Sequence, residues 1–158
     1  METVLGLGYG TWKFIHITGA VLLLGNIVVT GVWKGMADAG GDPRVLPFAQ
    51  RLVTLTDWLF TAGGTLLIVA GGTALAWLGG WWRAPWFLWG VGLFTLSGVL
   101  WGAVLIPVQT VQARLARPLG PTEGVPARYW RLARLWYAAG VPAIVLPLCT
   151  LYLMVVKP

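Results

Sequence analysis

WKFIHITGAVLLLGNIVVTGVW, residues 12–33, decides the fold. His16, the only histidine, is followed by Gly19, Leu23, Asn26, Thr30 and Trp33 at alternating steps of three and four. On a helix these six side chains share one stripe. The remaining faces are Val, Ile and Leu, where a water-soluble helix would carry charge. The small and polar stripe is therefore expected to face protein and the apolar faces to meet lipid.

Composition agrees with that reading. The 158 residues are 58% hydrophobic and only 10% charged, with a mean hydropathy of +0.77, so the chain cannot present a polar surface to water. Segments outside the apolar runs are too short for a second core, which implies one domain over 1–158. Many of the 11 Trp residues lie near the ends of apolar runs, as with Trp81, Trp82, Trp86 and Trp89, where an indole sits at the headgroup level. A lone cysteine, Cys149, excludes an internal disulfide and any CxxC site. The net charge of +6 lies beside the apolar runs, which points to anionic lipid rather than nucleic acid. The first run has no basic region before it and is long enough to span, so it reads as a signal anchor.

Four spanning helices are expected, at about 11–36, 50–78, 86–115 and 128–156, each long enough for roughly 30 Å of hydrocarbon. The loop ADAGGDPRVLP separates the first two through turn-forming Gly, Asp and Pro. The second helix repeats the device of the first, with Asp57, Thr61, Gly64, Ile68, Gly71 and Leu75 on one stripe. The third aligns Gly98, Gly102, Leu105, Gln109 and Gln112, with a bend expected at Pro107. In the fourth, Pro142 and Pro147 deprive the carbonyls of Ala138 and Ala143 of their helical donors, so those acceptors need other partners. With the N-terminus outside, three Lys and Arg lie outside and eight inside, which predicts an all-α, N-out and C-out four-helix bundle in the bacterial cytoplasmic (inner) membrane.

Helix depth gathers Asn26, Thr30, Asp57, Thr61 and Gln109 into a buried polar network in the inner half. An ionised Asp57 in hydrocarbon costs roughly 2.5–3.5 kcal/mol on insertion scales unless paired, and Arg131 or Arg134 is the expected partner. Such a network is either interhelical glue or a proton relay or quinone contact. In the outer half, His16 shares a level with Gly71, Gly72, Gly90, Cys149, Tyr152 and Met154. One reading makes His16 the axial ligand of haem b or another porphyrin, with Gly71, Gly72 and Gly90 clearing the ring and Tyr152 or Lys157 near a propionate. A second has His16 only hydrogen-bonded to a neighbouring helix. His16, Cys149 and Met154 are also ligand types that Cu(I) favours. A further alternative is a non-catalytic subunit, in a homo-oligomer or a larger membrane complex. No P-loop, nucleophile elbow, facing carboxylate pair or zinc spacing is present in the sequence.

Lys13 and His16 followed by GAVLLLGNIVVT, then RLVTLTDWLFTAGG, IPVQ and the closing MVVKP resemble a bacterial family of four-helix integral membrane proteins of unknown function. The resemblance covers nearly the whole chain. That family is distantly similar to copper-resistance D-type membrane proteins and HemJ-type protoporphyrinogen oxidases. The similarity implies a porphyrin or metal role for His16, with Lys157 nearby.

Overall fold

A computed structural model describes residues 2–120 and 124–158. Four helices are each long and apolar enough to cross a membrane: α1 (Tyr9–Gly40), α2 (Leu46–Gly79), α3 (Pro85–Ala116) and α4 (Ala127–Val156). They form an all-α bundle with both termini at one end, where Trp12 Nε1 donates to the Val4 carbonyl and Lys157 Nζ sits 4.0 Å from the Trp81 ring centre. Large apolar side chains such as Phe14, Leu66, Trp89 and Val155 are exposed. Without water in hydrocarbon, a continuous helix is the way each segment satisfies its backbone internally.

The helices run further than the sequence spacing suggested. α1 continues four residues past Met36 to Gly40, and Gly41 caps it at φ 61°, donating to the Ala37 and Asp38 carbonyls. The buried stripe of α1 is Trp12, Gly19, Leu23, Asn26, Thr30, Lys34 and Asp38, so Lys34 takes the place expected of Trp33. α2 starts four residues before Gln50, directly after a turn in which the Asp42 carboxylate accepts the Arg44 N–H at 2.8 Å.

Glycines set the closest approach. A Cβ at Gly19 would lie 2.7 Å from the Gly64 carbonyl, and one at Gly64 would lie 2.8 Å from the Gly19 carbonyl, so α1 and α2 meet backbone to backbone. α1 packs along the second half of α2, and the first half of α3 packs along α4, while α1 and α4 meet only toward the end that carries Lys34 and Asp38. The bundle is thus two tight pairs joined at one end, where Val53, Leu105, Val108, Trp136 and Ala143 form a shared core.

Two wide turns interrupt the regular hydrogen bonding, a π segment at Asp57–Ala62 in α2 and another at Trp101–Leu105 in α3. The second contains Ala103, whose carbonyl Pro107 cannot serve, so the irregularity falls just before the proline. It also shifts the phase of α3. Ser97, rather than Gly98 or Gly102, is buried, and Leu105, Gln109 and Gln112 follow on the same side. The carbonyl of Ala143, freed by Pro147, accepts a hydrogen bond from Ser97 Oγ at 2.8 Å, which is the partner the proline demanded.

Candidate functional site

The buried polar network forms at the level of the π turns. Asp57 Oδ1 accepts from Asn26 Nδ2 at 3.2 Å and Thr61 Oγ1 at 3.1 Å. Its Oδ2 accepts from Gln109 Nε2 at 2.9 Å and Trp101 Nε1 at 3.3 Å. Asn26 Nδ2 also donates to Thr61 Oγ1, and Thr30 Oγ1 donates to Asn26 Oδ1. Trp136 Nε1 on α4 donates to Gln109 Oε1 at 3.3 Å, so all four helices contribute. The two wide turns face each other here: one carries the carboxylate and the other the Trp101 donor, and Trp58 and Trp101 meet edge to face.

Asp57 receives four neutral donors and no cation. Arg131 and Arg134, expected beside it, are exposed on α4. The reason is helical phase. Tyr129, Ala133, Trp136, Ala143 and Pro147 form the buried stripe of α4, and residues 131 and 134 fall outside it. Among the described residues the ion pairs are Lys34–Asp38 and Asp42–Arg44, and neither involves Asp57.

The splay between the helix pairs leaves a cavity of about 560 Å³ with an overwhelmingly apolar wall. Asp57, Gln109, Thr30 and Thr61 contribute its polar patch, with Phe94, Trp101, Trp136 and Tyr137 around it. Val28 and Val32 of α1 and Val141 of α4 also line it and are 50–63% exposed, which places the mouth between α1 and α4, facing the bilayer. Gly31, Gly98 and Gly140 line it too, and a Cβ on any of them would meet nothing within 4 Å.

A second polar cluster was not anticipated from the sequence. Lys34, fully buried, pairs with Asp38 at 2.6 Å. Tyr129 and Tyr137 donate to the two Asp38 oxygens at 2.6 and 2.8 Å, and Gln50 Nε2 donates to the Tyr129 hydroxyl. The Lys34 ammonium also lies 5.0–5.9 Å from the ring centres of Trp136, Tyr137 and Tyr129. This charge pair is internally neutral. Its signal in the sequence was the Lys–Asp spacing of four, in register with the α1 stripe.

His16 lies in the seam between α1 and α2. Its Nδ1 is 2.9 Å from the Ile68 carbonyl, which can only accept, so Nδ1 carries a proton and points into the seam. The space at Gly71 is taken by His16 itself, whose Cβ is 2.8 Å from a Cβ built there, and the His16 ring covers Gly72. Gly90 is covered by the Met154 methyl on the opposite helix pair. Cys149 and Tyr152 are exposed on α4, and Lys157 stacks over Trp81 and Trp86. His16 and Met154 therefore occupy different seams.

Residues 11–158 match the profile of a family described as predicted integral membrane protein (DUF2269). The chain belongs to that family. DUF2269 membership and the four long apolar helices together make it a multi-pass integral membrane protein. No curated protein and no solved structure gives a significant match to this DUF2269 chain.

Proposed function

We propose that this protein is a membrane-embedded binding protein that admits a lipophilic small molecule from the bilayer and holds its polar head at the Asp57 network. The supporting observation is the lateral cavity, whose volume of about 560 Å³ is in the range that takes a drug-sized ligand, with a few convergent polar groups at one place in an apolar wall. The basic-residue distribution supports a bacterial inner-membrane location with both termini away from the cytoplasm. The test is thermal unfolding in lipid nanodiscs with decylubiquinone, protoporphyrin IX or tetraphenylphosphonium. Gly140→Leu, which projects into the cavity from an unobstructed position, serves as the blocked form. At least one probe should raise the midpoint of the wild-type protein with concentration and leave Gly140→Leu unmoved. No stabilisation by any probe, or equal stabilisation of both proteins, refutes the reading.

A second reading rests on His16. A ring whose Nδ1–H is fixed by a backbone carbonyl presents Nε2 as histidine ligands of metals do, which supports an axial role toward haem b or another metalloporphyrin. The space a Cβ would take at Gly71 and Gly72 is held by His16, and that at Gly90 by the Met154 methyl. A Soret band after haem supplementation, lost in His16→Ala, is the expected result, and its absence in the wild-type protein rejects this reading.

A further inference from the structure

Three Asp, Glu, Lys or Arg side chains are buried among the described residues: Lys34, Asp38 and Asp57. Lys34 and Asp38 neutralise each other. Asp57 is left as the one buried carboxylate with no opposite charge, and it lines the cavity. Its four hydrogen-bond partners, Asn26, Thr61, Trp101 and Gln109, are all uncharged.

With no counter-ion among its partners, an ionised Asp57 would hold an unbalanced negative charge in a low-dielectric setting, where it attracts a cation more strongly than in water. The surrounding wall suits the same charge. Trp101 and Phe94 line the cavity, together with Trp136 and Tyr137, whose rings already lie beside the Lys34 ammonium, and aromatic rings attract cations when desolvated. The apolar remainder and the bilayer-facing mouth select against a small hydrated ion. We infer that the ligand of this cavity is a lipophilic organic cation, such as a hydrophobic amine or quaternary onium, held by the charge of Asp57 and the aromatic wall. The inference rests on the cavity reading above and adds the sign of the ligand's charge.

The experiment compares tetraphenylphosphonium with tetraphenylborate, which share a shape and differ in sign, by equilibrium binding to the full chain in nanodiscs of neutral lipid. The wild-type protein should bind tetraphenylphosphonium saturably and tetraphenylborate not at all. Asp57→Asn should weaken cation binding about tenfold or more, Asp57→Glu should retain it, and Gly140→Leu should abolish it. Folding of each variant is checked by near-ultraviolet circular dichroism. If Asp57→Asn does not fold, the choice between the two probes by the wild-type protein decides the sign. Binding of tetraphenylborate, or unchanged cation affinity in folded Asp57→Asn, overturns the inference. If that binding is blocked by Gly140→Leu, the cavity reading stands. Binding of neither tetraphenyl ion also overturns the inference, and only failure of decylubiquinone and protoporphyrin IX as well removes the cavity reading with it.

Discussion

Replacing Asp38 by Ala removes the acceptor shared by Lys34, Tyr129 and Tyr137, and the consequence is large because all three groups are held inside the bundle. Lys34 is completely inaccessible, and among the described residues its ion-pair partner is Asp38 alone, at 2.6 Å. Deleting one member of a buried pair leaves an uncompensated charge and costs about 3–5 kcal/mol. The tyrosine hydroxyls lose the oxygens they donate to at 2.6 and 2.8 Å, which places the effect toward the upper end of that range. Lys34→Met in the Asp38→Ala background removes the stranded ammonium and should recover most of the loss, since the aromatic faces around residue 34 accept a thioether. The assay is a double-mutant cycle by reversible SDS unfolding in mixed micelles, followed by tryptophan fluorescence. A cost below about 1 kcal/mol for Asp38→Ala, or a double variant no more stable than the single, refutes the reasoning.

Other substitutions probe the packing. Gly19→Val forces a side chain against the Gly64 carbonyl and Ile68 nitrogen and should destabilise by about 1–3 kcal/mol or more, whereas Gly25→Ala, with open space around it, should be neutral in the same unfolding assay. Ser97→Ala strands the Ala143 carbonyl that Pro147 frees and should cost about 1–3 kcal/mol, while Pro147→Ala in that background should restore stability. In the turn after α1, the hydrogen bonds from Arg44 hold the Asp42 carboxyl below the usual carboxylate range. That interaction is present above the ordinary carboxylate pKa and is lost as pH falls through the lowered value. Arg44→Gln should raise the Asp42 midpoint in a carboxyl NMR titration, and an unmoved midpoint would show that the pair does not form.

The four helices and the Asp57 network were readable because a membrane chain carries few polar residues, and those at steps of three and four can only face inward. Asn26, Thr30, Asp57, Thr61 and Gln109 meet as their spacing required. The counter-ion was misplaced because Arg131 and Arg134 were matched to Asp57 by depth alone, although the phase set by Tyr129, Ala133 and Trp136 already turned them outward. Lys34 was missed because the stripe was read as ending on Trp33, and Asp38 because the glycines of the following loop suggested that α1 ended early. The π turn in α2 had no local signature, whereas the one in α3 falls just before Pro107, where a bend was expected. Through the second of them Trp101, of a residue type common at membrane interfaces, donates to a buried carboxylate.

The most direct measurement is photoaffinity labelling of the protein in membranes with a diazirine-bearing lipophilic amine, followed by peptide mapping. Label should concentrate on cavity residues such as Trp101, Tyr137 and Gly140, be displaced by excess tetraphenylphosphonium and vanish in Asp57→Asn. Label confined to outward-facing positions such as Val69, Trp89 and Val155, indifferent to residue 57, would contradict it.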